Sequence, residues 1–575
     1  MKQLMLGNEA VARGVYEAGC RLVFSYPGTP STEITECAAK YNDVTAEWAP
    51  NEKVALEAAI GASMVGARAF CAMKHVGLNV AADPLFTAAY TGVSGGLVIA
   101  VADDPGMHSS QNEQDTRAVA AAAKVPVLEP ADSAECRELT ILAFEISERF
   151  DIPVILRLTT RIAHSRSPVE MRDGLQPELL AYQKNPAKNV MVPANARVRR
   201  IDLEERLAAL LDYAESGPVN FAETGEGIGA IASGVSRLYA KECLPSNAGL
   251  LNIRMTYPLP VALIRDFAAG YEKIAVLEEL DPVIENHCKE LGVGVTGKSV
   301  LPMYGEYSQR LIAERLLNEQ TEYETFGGDI PPRPPVLCAG CPHRGVFYIL
   351  HKLGLFVSGD IGCYTLAASP PLSAMDTTVC MGASVSGLHG VLKARPDWAA
   401  KAVAVIGDST FLHSGVTGLI DIVYNQSGAT VLILDNDTTG MTGHQHNPST
   451  GFDARGNAAP AVDLAALCRA CGVKRVVEAD PYDMEGAERI ISEELAAKEP
   501  SVIIMKRPCV LLKGVKKTRQ YTVDEQSCRR CKKCLALGCP AVSFSETAAI
   551  DENLCFGCSA CETVCPFKAI SEVSA

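Results

Sequence analysis

At 575 residues, with 48% hydrophobic and 21% charged side chains, the chain is long enough for several globular domains and too apolar for bulk disorder. A formal charge of −15 argues against nucleic acid or an anionic membrane surface as partner, because the longest basic cluster is "KGVKKTR", Lys513 to Arg519. The opening "MKQLMLGNEAVARGV" carries no secretory pattern, and no apolar run nears the roughly 18 residues of a membrane helix, so the expected location is the cytoplasm.

In chain order, residues 1–190 alternate helical stretches with short apolar strands such as "LVFSYPGTP" and "GGLVIAVADDPG", each ending in Gly, Pro or Asp turn chemistry. That rhythm predicts a parallel sheet with crossover helices. Residues 191–325, with "LLNIRMTYPLP" and "KIAVLEEL", predict a middle α/β domain, and 326–335, ending in "PPRPP", an extended linker. Residues 336–515 contain "KAVAVIGDS", "ATVLILDND" and "PSVIIMKR", a third set of strands between helices. Residues 516–575 are short of helix and dense in cysteine.

Eight of the 21 cysteines fall between Cys528 and Cys565, where short repeated spacings point to metal or redox chemistry over disulfides. The runs are Cys528-x-x-Cys531-x-x-Cys534-x4-Cys539-Pro540 and Cys555-x-x-Cys558-x-x-Cys561-x3-Cys565-Pro566. This is the bacterial two-cluster ferredoxin pattern, in which three cysteines wrap one [4Fe-4S] cubane and the fourth ligates the other. It assigns Cys528, Cys531, Cys534 and Cys565 to one cluster and Cys555, Cys558, Cys561 and Cys539 to the second. Paired four-cysteine zinc sites are the alternative, and the proline after each fourth cysteine weighs against them. Cys20, Cys71, Cys136, Cys243 and Cys288 read as small buried hydrophobes, and Cys468 and Cys471 as core or surface thiols of one helix that stops at Gly472.

In the third segment one buried strand ends in Gly407-Asp408-Ser409, and 28 residues after Asp408 another has ended in Asp435-Asn436-Asp437-Thr438. In a parallel sheet both ends open on the ligand-binding edge. Asp408, the Asn436 side-chain oxygen and a backbone carbonyl near Thr438 supply the oxygens that a magnesium ion shares with phosphate. The pair resembles the thiamine diphosphate signature, with Ser409 in place of the usual second glycine. His444 and His446 follow near this loop, and Lys74 and His75 follow a strand of the first segment; all four are candidate pocket residues. Thiamine enzymes also need a glutamate at the aminopyrimidine, and "PNEKVALEAAIGAS" puts Glu52 at the entry of an Ala-rich helix like the catalytic one of such enzymes, with Glu57 less well matched.

Together "SYPGTPSTE", "MKHVGLNVAADP", "SSQNEQDTR", "CAGCPHR", "GDIGCYTL", "GDSTFLHSG", "MTGHQH" and the ferredoxin tail resemble the alpha subunits of indolepyruvate ferredoxin oxidoreductases, within the 2-oxo acid ferredoxin oxidoreductases. The resemblance spans nearly the whole chain. It implies two thiamine-diphosphate-binding-type parallel-sheet domains, a middle α/β domain and a C-terminal two-cluster ferredoxin-like domain. It also implies a reaction in which an arylpyruvate, coenzyme A and oxidised ferredoxin give aryl-acetyl-CoA, carbon dioxide and reduced ferredoxin. The implied partners are a smaller beta subunit and ferredoxin, in a dimer of alpha-beta pairs. By the same resemblance Thr29 meets the substrate carboxylate, and Arg117 helps to bind substrate or coenzyme A.

Cys338 and Cys341 in "LCAGCPHR" remain open between three readings: zinc with His343 and His351, a redox dithiol, and a third [4Fe-4S] cluster. Related 2-oxo acid oxidoreductases hold a cluster close to thiamine, and the resemblance maps its ligands to Cys338, Cys341, Cys363 and Cys509. Two further functions compete with the arylpyruvate reaction: action on another acid, such as pyruvate, 2-oxoglutarate or a branched-chain acid, and an electron carrier with a vestigial thiamine fold.

Overall fold

The computed structural model describes residues 2–176, 179–320, 326–517 and 519–573. The chain forms two compact units, Met1–Gly327 and Gly328–Ala575.

In the first unit a seven-stranded sheet runs in the order Met255–Tyr257, Val127–Leu128, Val154–Thr159, Leu97–Asp103, Ala69–Lys74, Leu22–Ser25, Thr45–Trp48. All neighbours are parallel except Met255–Tyr257, which pairs antiparallel with Val127–Leu128 at the edge. The central strands are buried along their whole length, as both-face burial requires of a parallel sheet, and that is why they read as unbroken apolar runs. A four-stranded sheet, Lys273–Leu277, Ile228–Ser233, Gly249–Ile253, Phe221–Glu223, lies in the same unit.

"LLNIRMTYPLP", expected to serve one sheet, serves both. The chain leaves the smaller sheet after Ile253 and joins the larger one at Met255, because the Asn220 side-chain oxygen accepts from the backbone N–H of both Arg254 and Met255, each at 2.9 Å. A further strand of the first segment, Arg166–Glu170, pairs antiparallel with Lys2–Leu6.

In the second unit a five-stranded parallel sheet is ordered Phe356–Ser358, Ala402–Gly407, Thr430–Asp435, Ser501–Lys506, Arg475–Ala479. The cysteine-dense tail adds two antiparallel pairs, Tyr521–Val523 with Ile570–Glu572 and Val542–Phe544 with Ala548–Ile550. The tail shares its core with the sheet: Leu537, Ala541 and Ile570 belong to the same buried cluster as Val346, Val405 and Ile503. Cys20, Cys71, Cys136 and Cys288 are buried, whereas Cys243 is half-buried with its thiol on the Gln309 carbonyl. Cys468 is buried and Cys471 caps its helix before Gly472. Among the described residues no helix is long and apolar enough to cross a membrane.

Candidate functional site

Strands Ala402–Gly407 and Thr430–Asp435 are parallel neighbours with Gly407 opposite Leu434, so Asp408 and Asn436 leave the sheet side by side. Asp408 is 2% exposed, and burial, reinforced by Asp435, pushes its carboxyl up to about 7. One carboxylate oxygen, Oδ2, accepts from Asn447 Nδ2 at 3.0 Å and from Ser449 Oγ at 3.3 Å. The other, Oδ1, lies 3.3 Å from the Asn436 side-chain oxygen, which lies 2.8 Å from the Thr438 carbonyl. Three oxygens thus face one another. Turning the amide over would satisfy two of them without an ion; a hard cation among the three satisfies the arrangement as it stands. The residues therefore fit a magnesium ion. Ser409 is buried and accepts from Thr439 Oγ1 at 3.0 Å, and His444 stands half-buried on the same loop with a left-handed φ of 70°.

The Asn436 amide nitrogen faces His343 Nε2 at 3.3 Å, and burial holds that imidazole down to about 4, hence neutral. The "GDIGCYTL" segment closes on the same place. Tyr364 Oη accepts from the Gly407 N–H at 3.0 Å, and Asp360 accepts from the N–H groups of Gly382 and Ser384, each at 2.9 Å.

The four cysteines mapped to a third cluster come from separate segments and are brought together. Burial raises Cys341 to about 12, aided by Cys338 and Cys363, and Cys363 to about 11, aided by Cys509 and Cys338. The Cys509 N–H donates to the Asn436 carbonyl at 2.9 Å, and Cys363 Sγ lies 3.5 Å from where a Cβ on Gly440 would stand. Among the described residues no three His, Cys, Asp or Glu side chains group tightly enough to hold a single ion; His343 faces Asn436, and His351 faces the Ser373 carbonyl.

The tail's cysteines group crosswise. Cys534 feels the charges of Cys531, Cys528 and Cys565, while Cys561 feels those of Cys558, Cys539 and Cys555. The fourth cysteine of each run thus sits with the other run. Arg344, fully buried, donates to the carbonyls of Leu337, Cys338 and Leu537, which pins the C-x-x-C turn to the tail. A Cβ on Gly340 would stand 2.4 Å from Phe556 Cβ, and Tyr482 Oη donates to the Gly340 carbonyl at 2.5 Å.

In the first unit the ligand-side sheet edge gathers Thr29, Lys74, His75 and Ser109. Lys74 Nζ donates to the Ser109 carbonyl at 2.6 Å, Ser109 Oγ to the Thr29 carbonyl at 3.2 Å, and burial lowers the Lys74 ammonium to about 8. His75 is 1% exposed, and burial lowers its imidazole against the pull of Asp103 and the Ala102 and Asn112 backbone. Glu52 opens the helix Glu52–Met64, capped by Asn51, and is 4% exposed. Its Oε1 lies 2.5 Å from where a Cβ on Gly77 would be, so glycine at 77 is what makes room for the carboxylate. Glu57 is exposed and paired with Lys53.

Arg117 departs from the role expected of it. It is 1% exposed, and its guanidinium is taken up by Asp115, Glu278 and the carbonyls of Glu279 and Asp281. It joins the helix Thr116–Ala123 to the end of the strand Lys273–Leu277, and three anchored nitrogens leave no free face for a substrate.

Three family profiles match: "Pyruvate flavodoxin/ferredoxin oxidoreductase, thiamine diP-bdg" over residues 13–207, "Thiamine pyrophosphate enzyme, C-terminal TPP binding domain" over 360–505, and "4Fe-4S binding domain" over 548–571. The indolepyruvate oxidoreductase subunit IorA of Archaeoglobus fulgidus is 41% identical over 609 aligned positions, covering 99% of this chain and 97% of the relative. The chain belongs to the IorA family. The IorA proteins of Pyrococcus horikoshii and Methanothermobacter marburgensis are 38% and 40% identical, over 100% and 98% of this chain and 97% and 96% of theirs.

Within this IorA-family chain, sequence reasoning missed Asn447, Ser449 and Arg344. The polar run "HNPST", which begins at His446, was the available signal for the first two, since Asn and Ser in a loop facing a strand-end carboxylate are natural donors. Arg344 carried none, because its partners are backbone carbonyls distant in sequence.

Proposed function

We propose that the chain is the thiamine- and cluster-bearing subunit of an enzyme that oxidatively decarboxylates arylpyruvates of the indole-3-pyruvate type. In the balanced reaction the 2-oxo acid, coenzyme A and two oxidised ferredoxins give the aryl-acetyl-CoA, carbon dioxide, two reduced ferredoxins and a proton. The printed names of the relatives support the substrate class, and the matched thiamine and 4Fe-4S domains support the cofactors. The observation that carries the reading is the bond from Cys509 N–H to the Asn436 carbonyl, which joins the oxygen trio to the cysteine group.

Thiamine diphosphate, when bound, supplies the nucleophile and electron sink for decarboxylation. Asp408, Asn436 and the Thr438 carbonyl hold its magnesium, with Gly407, Ser409 and His444 along the diphosphate. Glu52 holds and returns the proton at the aminopyrimidine nitrogen, a task for a buried carboxylate. Thr29 meets the substrate carboxylate. Cys338, Cys341, Cys363 and Cys509 would hold a third [4Fe-4S] cluster, which would supply one-electron chemistry. The domains divide as 1–190, 191–325, 336–515 and 516–575, with 326–335 as linker. A smaller beta subunit completes the enzyme, as a cytoplasmic dimer of alpha-beta pairs.

The test is anaerobic bleaching of the iron-sulfur absorbance in the co-purified subunits by indole-3-pyruvate with coenzyme A, with pyruvate and 2-oxoglutarate in parallel. Bleaching by the aryl acid alone, with about twelve irons per chain, is the expected result. Bleaching only by another acid refutes the substrate class, and about eight irons with full turnover refutes the third cluster.

A further inference from the structure

We propose that electrons leave the enzyme at the Cys528–Cys534 loop, and that this loop docks a small acidic one-electron carrier protein of the ferredoxin type. This rests on the function proposed above and adds to it the place and chemistry of the contact.

The two cysteine runs share spacing and little else. In the first, Arg529, Arg530, Lys532 and Lys533 fill the positions between Cys528, Cys531 and Cys534; in the second the same positions hold Phe556, Gly557, Ser559 and Ala560. All four cations and Cys531 are exposed, and Cys534 is buried; in the second run Cys555 and Cys561 are buried and Cys558 is half-buried. Among the described residues none of the four cations forms an ion pair, and Lys532 Nζ lies 4.9 Å from the centre of the Phe544 ring, so four cations stand within five residues of a chain whose net charge is −15. Arg530 and Lys532 both adopt left-handed backbone, φ 58° and 59°, which disfavours bulky residues and is tolerated here at two cationic positions.

The cavity among these residues is lined by all four of Cys528, Cys531, Cys534 and Cys565 and so belongs to the cluster they would hold. What the surface adds beside Lys532 is Phe567, 48% exposed although aromatic. An exposed aromatic side chain beside a charged rim is a feature of protein interfaces. The second run differs: it has no cation between its cysteines, and Phe556 is packed on Gly340. Of the two tail clusters, the one on Cys528, Cys531, Cys534 and Cys565 is the one with an exposed cysteine, Cys531. Cations around an exposed cluster steer an acidic partner into contact without holding it tightly, which suits a carrier that must leave after one electron.

The test uses the co-purified two-subunit enzyme and an acidic two-[4Fe-4S] ferredoxin. Arg529→Glu/Arg530→Glu/Lys532→Glu/Lys533→Glu and the milder Lys532→Gln/Lys533→Gln are compared with wild type. The readouts are ferredoxin KM, equilibrium ferredoxin binding, their dependence on salt, iron content and bleaching by substrate, with methyl viologen as a small acceptor. The charge reversal is expected to raise ferredoxin KM at low salt by about tenfold or more and to flatten its salt dependence. It is also expected to speed reduction of a basic c-type cytochrome, while viologen reduction and bleaching stay unchanged. Unchanged ferredoxin binding and salt dependence overturn the proposal. So does a raised KM for coenzyme A with ferredoxin binding intact, which gives the cations to a phosphate ligand. If the reversal costs iron, the Gln pair decides on the same readouts. Failure of every 2-oxo acid to bleach the wild type refutes the proposed function, while ferredoxin binding still judges the docking surface.

Discussion

Asn447 Nδ2 donates to Asp408 Oδ2 at 3.0 Å, beside Ser449 Oγ at 3.3 Å, and the pair leaves Oδ1 as the oxygen turned to Asn436. Neighbours of a metal ligand orient it, and losing one typically weakens the metal about 10- to 100-fold. Asn447→Ala is therefore expected to weaken magnesium-dependent thiamine diphosphate binding by about tenfold, read by calorimetric titration. A wild-type magnesium titration for this variant would show that Asn447 does not orient the carboxylate.

Glu52 and Glu57 lie five residues apart on one helix, one buried and one in solvent. Glu52→Gln should cut single-turnover bleaching by about 100-fold or more and leave cofactor affinity within a few-fold, as loss of a general acid-base does. Glu57→Gln should change neither. Equal effects of the two would remove Glu52 from the proton transfer.

Arg117 separates packing from binding. Arg117→Met strands the buried carboxylates of Asp115 and Glu278, and breaking such a pair costs about 3–5 kcal/mol. A lower thermal midpoint is the expected result. Normal stability with a raised KM for coenzyme A would instead return Arg117 to the ligand.

Glu279 predicts a pH dependence. Burial raises its carboxyl from 4.5 to about 7, against the pull of the Tyr307 N–H and Arg157. A value raised in the folded state means that the fold favours the proton, so the stabilising contribution is whole below pH 4.5 and is lost as pH rises through about 7. Denaturant unfolding from pH 4.5 to 7 should show wild type losing stability relative to Glu279→Gln, which carries no proton to lose. A constant difference across that window would mean that Glu279 is ionised in the fold.

The parts of this protein that sequence alone determined are those whose chemistry is local. The spacing of the cysteine runs reads directly, because it belongs to the chain, and the grouping of each fourth cysteine with the other run agrees with it. Asp408 and Asn436 read as strand-end residues, since each follows a buried apolar strand and parallel strands deliver their ends to one edge. Glu52 read as a helix start, ahead of an Ala-rich run. What only the tertiary structure decided depends on side chains meeting across long stretches of chain. Asn447 and Ser449 reach Asp408 because the loop after Thr438 folds back through the bridge between Thr439 and Gln445. Arg117 carries the same residue type that a substrate site would need, and only the approach of Glu278, 161 positions away, turned it into a buried pin. Charge and burial are properties of neighbours in space, whereas spacing belongs to the chain, and that is where the reading of this sequence stopped.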